Sequence, residues 1–469
     1  MTGYEGRRVL VAGAGVSGKA CARALVDAGA VVTVLDRSAS AGLAELAAAG
    51  IDTQVAPEPP TALLAGASDL VVSPVFAPHH PLVVAALAAG LDVYCEPELA
   101  WRLRPAGAAD WLALTGTNGK TTAVTMLASI LSAAGLSARA VGNIGDPLID
   151  AVRANDCQVL AVELSSYQLY WSQRLAPLAG AYLNLADDHL DWHGDRDAYA
   201  SAKTAVWRGA AAGGTAIGNA DDPAVAALLS AVPGRQVSFT LGEPAPGQLG
   251  VVDGMLVDHA FGRGESTGAA FGTEPVELVA ADQMRPAGAH NVANALAAAA
   301  LARAYGVGPE AVAAGLAGYV PQPHRNQRVA QVAGVTYVDD SKATNPHAAL
   351  ASLLSYPRLV WIAGGQLKGV DPDELVSRVA DRLAGAVLLG ADRAQITAAL
   401  RRHAPAIPVI EVSRSDDGAM ADVVAAAARL AGPGDTVLLA PAAASYDMFD
   451  SYAQRGDRFA AAVAALPVA

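Results

Sequence analysis

Three times along this 469-residue chain, a short run of β-branched and aliphatic residues gives way, through a turn, to an alanine-rich stretch of helical spacing. Strands separated by helices cannot close as hairpins. Each return must cross the face of the sheet, so the plan is parallel α/β. In the first segment strands are expected at Arg8–Ala12, Val31–Leu35 and Leu70–Ser73, with a helix over Lys19–Ala28. The Pro- and Gly-bearing stretch from Arg104 to Ala108 precedes a second start at Trp111–Leu114. Tyr319-Val-Pro-Gln-Pro323 precedes a third, with strands at Thr336–Val338, Leu359–Ala363, Ala386–Leu389 and Thr436–Leu439. Boundaries near residues 107 and 321 therefore divide the chain into domains 1–107, 108–321 and 322–469. One departure from the parallel plan is foreseen, an antiparallel hairpin turning at Asp253-Gly254 between two apolar runs.

Composition narrows the partners. A formal charge of −13 argues against a nucleic-acid or membrane-surface binder, because both surfaces are anionic. Met1–Arg8 lacks an apolar leader core, and no apolar run approaches the roughly 20 residues a bilayer demands, so a cytoplasmic protein is expected. Cys21, Cys95 and Cys157 are far apart and outside any CxxC spacing, which predicts buried small side chains. Only five of the 32 basic residues are lysine: Lys19, Lys120, Lys203, Lys342 and Lys368. A chain that writes its surface cations as arginine keeps lysine where a compact or reactive amine is wanted.

Two glycine-rich turns carry chemistry. Gly13-Ala-Gly15-Val-Ser-Gly18 lies between strand and helix, with Asp36 ending the next strand. This pattern suits a dinucleotide such as NAD, another nucleotide, or bare helix-on-strand packing. Leu114-Thr-Gly116-Thr117-Asn118-Gly119-Lys120-Thr121-Thr122 places Gly-Lys-Thr at a strand-to-helix junction, the setting in which backbone amides cradle ATP phosphates, lysine reaches the β/γ oxygens and a threonine can ligate Mg²⁺. Leu114 departs from the usual P-loop, which begins with glycine. Downstream, Glu163 closes the strand Val159–Val162, His189 follows the strand Ala181–Leu185, and Lys203 lies on the helix Arg196–Trp207. Such residues either face solvent or support Mg²⁺ beside the phosphates. In the third segment His324-Arg325, Asp339-Asp340-Ser341-Lys342-Ala343-Thr344-Asn345, Lys368 and Ser445 all follow strands, an array suited to an anionic substrate. A helix cap accounts for Ser341 or Thr344 but not for Lys342.

Taken together, Thr115–Thr122, Val162-Glu-Leu-Ser-Ser-Tyr-Gln-Leu169, His290-Asn-Val-Ala-Asn294, His324-Arg325 and the ending Ser445-Tyr-Asp-Met-Phe…Gln454-Arg-Gly-Asp-Arg-Phe459 resemble the Mur ligase family over essentially the whole chain, and they account for Leu114. Asp339–Asn345 is similar to the branch that adds D-glutamate, and the DNPR motif of the diaminopimelate- or lysine-adding branch is absent. The resemblance implies a Rossmann-like first domain, a central P-loop ATPase domain and a Rossmann-like last domain. It also implies an ATP-dependent amide ligase of peptidoglycan precursor synthesis, acting as a monomer on UDP-N-acetylmuramoyl-L-alanine and D-glutamate. By the same resemblance Gly15, Ser17, Asp36, Arg37, Ser73, Asn143 and His189 contact the UDP-sugar. Gly116–Thr122, Asn291, Asn294, Arg325 and Asp340 contact ATP. Lys342, Thr344, Lys368, Ser445 and Tyr452 hold D-glutamate. Lys120, Glu163, His189 and Lys203 form the catalytic set. Thr121, Glu163, His189 and Lys203, the last carbamylated by CO₂, ligate Mg²⁺, two ions being expected. Val75 stands where the family has glycine after Ser-Pro, and Gln366 where an aspartate often precedes the glutamate-binding lysine. Within the class, another Mur ligase or a folylpolyglutamate synthase-like enzyme is the alternative. Outside it stand an NAD-dependent dehydrogenase and a non-catalytic nucleotide-binding module.

Overall fold

A computed structural model describes residues 3–58, 60–262, 274–286, 288–416 and 418–467. They form two compact units, Met1–Met284 with Val292–Tyr319, and Arg285–Asn291 with Val320–Ala469.

The first unit holds two sheets. One consists of β1 (Arg8–Ala12), β2 (Val31–Asp36), β3 (Asp52–Val55), β4 (Asp69–Val72) and β5 (Asp92–Cys95), all parallel in the order β3-β2-β1-β4-β5. The order reverses between β1 and β4, the place where an open α/β sheet leaves a crevice at its carboxyl end. The helix after β1 spans Val16–Asp27, starting three residues before the expected Lys19. Gly18 reads as a helix breaker, yet it is needed inside the helix: a Cβ there would meet the Gly13 carbonyl oxygen at 1.8 Å. Cys21 and Cys95 are buried as expected, whereas Cys157 is partly exposed in the loop before the strand Val159–Glu163, and all three are free.

The second sheet consists of β6 (Asp110–Thr115), β7 (Ala138–Gly142), β8 (Val159–Glu163), β9 (Ala179–Tyr182), β10 (Thr215–Asn219), β11 (Arg235–Phe239), β12 (Gln248–Val252), β13 (Met255–Asp258) and β14 (Val276–Ala280). Its order is β14-β13-β12-β11-β10-β9-β6-β8-β7, so the strand leading into the P-loop is flanked by β8 and β9. The foreseen hairpin joins β12 to β13, with Asp253 at φ 48° and Gly254 at φ 78°. β9 begins two residues before the sequence suggests. Its register is set by pairing with β6 and β10, and past Tyr182 the chain turns over the P-loop, where Asn184 O accepts the Thr117 N–H. The helix expected to reach Trp207 is α-helical over Arg196–Thr204 and continues as a 3₁₀ turn over Ala205–Ala212.

Two buried carboxylates join the sheets of this unit. Glu98 accepts the backbone N–H groups of Gln173, Arg174 and Leu175 and the Arg102 guanidinium. Glu96 accepts Ile149 N–H at 2.6 Å, at the start of the helix Leu148–Ala154. Burial pushes the Glu96 carboxyl up to about 7 from 4.5. Between those values the folded chain keeps a proton that the unfolded chain has released, so stability falls as pH rises through that window and is level above it. Glu96→Gln keeps the acceptor oxygen and removes the titration. Its urea midpoint relative to the parent should therefore climb across the window, and a constant difference would contradict the assignment.

The second unit contains β15 (Gln327–Val332), β16 (Val335–Asp339), β17 (Leu359–Gly364), β18 (Leu383–Leu389), β19 (Val409–Glu411) and β20 (Thr436–Leu439), in the order β15-β16-β20-β17-β18-β19. All pairs are parallel except β15 with β16. That hairpin was not foreseen because it turns on Ala333-Gly334, with alanine at φ 50° in place of the usual Asn or Asp. Among the described residues no helix is long and apolar enough to cross a membrane.

Candidate active site

β6 delivers the P-loop to the helix Lys120–Ala133, with Gly119 at φ 80° as its N-cap. A side chain at Gly119 would strike the Asn294 amide, its Cβ 2.2 Å from Oδ1, so the buried Asn294 lies directly on the loop. Asn184 Oδ1 accepts Asn118 N–H at 2.9 Å, and its Nδ2 donates to Asn118 O at 3.1 Å. Lys120 Nζ donates to the carbonyls of Gly116 and Thr117, both at 2.9 Å. Thr117 Oγ1 accepts Ala186 N–H at 3.0 Å and lies 3.1 Å from the Tyr199 hydroxyl. Thr121 and Thr122 form the first turn of the helix.

β8, the turn after β9 and the helix Arg196–Thr204 carry Glu163, His189 and Lys203. Glu163 is the last residue of β8 and is buried. Its Oε1 accepts Asn143 Nδ2 at 2.9 Å, while its Oε2 is buried with no hydrogen-bond partner. A buried acceptor without a donor costs about 1–3 kcal/mol, and a cation there would relieve it. Lys203 is 1% exposed, donates to Gly116 O at 2.8 Å and lies 4.6 Å from the centre of the Tyr199 ring. Burial pushes its amine well below the usual lysine range, and the Lys120 ammonium adds to the effect against Asp188 and Glu163. His189 takes the left-handed conformation at φ 55°, packs on the Tyr167 ring at 4.7 Å and lies 3.5 Å from Asp188. Burial lowers its pKa, favouring the neutral imidazole that can act as a ligand.

Three residues that the sequence reading passed over belong here. Tyr199 sits four positions before Lys203 on one helix face, a spacing that marks them as neighbours. Asn184 braces the P-loop. His193 bonds Ser166 Oγ at 3.0 Å, and burial lowers its pKa to about 4.

At the crevice of the first sheet, Gly13 and Ser73 face each other: a Cβ on Gly13 would lie 3.4 Å from Ser73 Cβ. Gly15 caps the helix and has open space where its Cβ would stand, so a phosphate could approach the backbone. Ser17 lies in the first helical turn. Asp36 accepts Ala14 N–H at 3.0 Å and Arg37 N–H at 2.7 Å, which orders the turn, and the Arg37 side chain is exposed. Val75 occupies its glycine-like position without a left-handed φ, so that turn does not need glycine here. Lys19, in the first turn of the helix Val16–Asp27, pairs with Glu45 at 2.6 Å.

The second unit gathers its own set on the adjacent strands β16, β20 and β17. Asp340 accepts Asn326 N–H at 3.0 Å, and burial pushes its carboxyl up to about 6. Arg325 lies between His324 and Asn326, both in the left-handed region, and His324 Nδ1 bonds Asp339 Oδ2 at 2.7 Å. Lys342 Nζ is 4.1 Å from the Tyr452 ring centre. Thr344 precedes Asn345, which caps the helix Pro346–Leu353. Ser445 is buried, and Lys368 is exposed at φ 53°. Gln366 pairs with Ala444 through both backbone groups at 2.9 Å, so the departure from aspartate leaves the β17 and β20 loops joined. Asn291 is buried on the helix Ala289–Tyr305, one turn before Asn294. The residue missed here is Arg455, buried and donating to Ser341 Oγ and O, both at 2.9 Å, and to Ala443 O at 3.1 Å.

Residues 7–95 match the MurD-like N-terminal domain of Mur ligases, residues 114–302 the Mur ligase middle domain, and residues 324–443 the Mur ligase glutamate ligase domain. A UDP-N-acetylmuramoylalanine–D-glutamate ligase of Thermobifida fusca is 53% identical over 98% of this chain and 99% of its own length. One of the same name from Streptomyces avermitilis is 51% identical over 99% of this chain and 100% of its own. Among solved structures, MurF from Acinetobacter baumannii superposes with a TM-score of 0.57 at 20% identity, covering 94% of this chain and 88% of that one. MurC from Thermotoga maritima does so at 0.55 and 16% identity, covering 98% and 99%, and at such identity both comparisons speak for the fold alone. With three matched domains in order and relatives about half identical along nearly their whole length, the chain belongs to the Mur ligase family.

Proposed function

We propose that this chain joins D-glutamate to UDP-N-acetylmuramoyl-L-alanine with ATP, through an acyl phosphate, in peptidoglycan precursor synthesis. The observation that carries the reading is the placement of Glu163, Lys203 and His189 around one P-loop, in a chain about half identical to relatives of that name. In this reading residues 1–107 take the UDP-sugar at Gly15, Ser17, Asp36, Arg37 and Ser73, and Asn143 and His189 reach it from the central domain, residues 108–321. Residues 322–469 take D-glutamate at Lys342, Thr344, Lys368, Ser445 and Tyr452. Gly116–Thr122, Asn291, Asn294, Arg325 and Asp340 hold ATP.

The residues fit Mg²⁺. The orphaned Glu163 Oε2, a neutral His189 and Thr121 would hold it, and bound Mg²⁺ supplies positive charge against the phosphate oxygens. Lys203 completes the set as a carbamate. Its neutral amine forms an N–C bond to CO₂ and gives up a proton, turning a donor into a carboxylate-like oxygen ligand. The substrate carboxylate then attacks the γ-phosphorus and ADP leaves; the D-glutamate amine attacks the resulting acyl phosphate and phosphate leaves. Each step brings anions together. Two like charges 4 Å apart cost about 4 kcal/mol at an effective dielectric of 20, a repulsion that Lys120 offsets at the phosphates in an acidic protein.

The test is ADP release with UDP-N-acetylmuramoyl-L-alanine, with and without D-glutamate. Dependence on both substrates supports the reading, and release driven equally by another amino acid would overturn it. Lys368→Ala should raise the KM for D-glutamate about tenfold or more, the loss of one charge-assisted contact, with the KM for ATP unchanged. A change in the ATP KM alone would show that this loop serves the nucleotide.

A further inference from the structure

The Ser73–Phe76 turn closes on itself, with Phe76 N–H donating to Ser73 O at 3.0 Å, which leaves the carbonyls of Val75 and Phe76 to find partners elsewhere. Both find an indole. Trp192 Nε1 donates to Val75 O at 3.1 Å, and Trp171 Nε1 donates to Phe76 O at 3.0 Å. The two tryptophans come from different segments. Trp171 follows the helix Ser166–Tyr170, and Trp192 lies on the short helix Leu190–His193, directly after His189. Trp192 is buried and hemmed in by rings: Tyr167 at 4.7 Å, Tyr170 at 5.1 Å and His193 at 4.4 Å between centroids. Its indole therefore cannot swing off the carbonyl without displacing its neighbours. Tyr167 touches His189 as well, also at 4.7 Å, so one ring abuts both the loop's anchor and the imidazole beside the P-loop.

We propose that Trp192 is a positioning residue that holds the Ser73–Phe76 loop in register with the His189 turn and thereby sets the affinity for the sugar nucleotide. This rests on the reading that the crevice at Gly13 and Ser73 takes the uridine diphosphate moiety. Val75 gives the loop an exposed apolar side chain without glycine's backbone freedom, so the loop's position depends on what its carbonyls bond. Trp171 anchors the next carbonyl, so losing Trp192 alone loosens the loop without releasing it.

The test compares the parent with Trp192→Phe, which keeps an aromatic ring and removes the N–H. The KM for UDP-N-acetylmuramoyl-L-alanine should rise about five- to twentyfold, the effect of one lost hydrogen bond to a buried group, while the KM for ATP stays unchanged. An unchanged sugar-nucleotide KM, or equal shifts in both KM values, would overturn the proposal. If Trp192→Phe fails to fold, benzothienylalanine at position 192 keeps the bicyclic shape without the N–H and is held to the same criteria. Calorimetric titration of the parent with uridine diphosphate separates the two levels. No binding there sinks the assignment of the crevice, whereas binding to the parent and equally tight binding to the variant sinks only the role of Trp192.

Discussion

Lys203→Arg is expected to lower kcat on the order of a thousandfold, the loss of roughly 4 kcal/mol of transition-state stabilisation, as the proposed metal-ligating role predicts. The substitution keeps a positive charge, so a lysine that served only as a cation would tolerate it. It removes an amine whose pKa burial and Lys120 push down, favouring the nucleophilic free base, packed between the P-loop carbonyl of Gly116 and the ring of Tyr199. A guanidinium stays protonated and does not take up CO₂. Labelled bicarbonate gives an independent readout: a carbamate carbon signal in the parent that is absent from the variant. Full activity in Lys203→Arg, with a Tm matching the parent, would sink the carbamate.

Gly456→Ala is expected to destabilise the second unit by about 3 kcal/mol, from overpacking together with a broken buried hydrogen bond. The sign is the reverse of the usual one. Alanine inside a helix gains about 1 kcal/mol over glycine, and Gly456 lies within the helix Tyr452–Ala464. Here the added Cβ would lie 2.1 Å from His324 Nδ1 and 2.6 Å from Asp339 Oδ2, the two atoms of the buried His324–Asp339 bond. Either the bond breaks and leaves Asp339 without its imidazole, or the helix shifts and carries Arg455 off the Ser341 loop. Because His324 precedes Arg325, the KM for ATP should rise as well. Urea unfolding followed in the second unit checks the first effect. A loss below about 1 kcal/mol would mean that the imidazole moves aside freely.

Residues whose chemistry is local were legible without coordinates. A glycine-rich turn between a strand and a helix states its own geometry, because the backbone that cradles a phosphate is contiguous. Gly116–Thr122 and the hairpin at Asp253-Gly254 were read in this way. The scarcity of lysine singled out Lys19, Lys120, Lys203, Lys342 and Lys368 alike as candidates, since a chain with so many arginines has little other use for an amine. What failed was local as well: the Ala333-Gly334 turn lacks the usual residue, and Gly18 looks like a helix breaker.

The tertiary structure decided what depends on distance through space. Lys19 was singled out with the other lysines, and only the fold shows that its partner is Glu45, 26 residues away. Arg455 joins Ser341 and Ala443 from the last helix, across more than a hundred residues in one case. Trp192 meets Val75 only because the loop after β4 of the first sheet and the His189 turn of the second pack against each other. Spacing along the chain records helix faces and turns. The pairing order of parallel strands, set by the crossovers that run between them, decides which loops meet at the carboxyl edge, and that order is a property of the folded sheet.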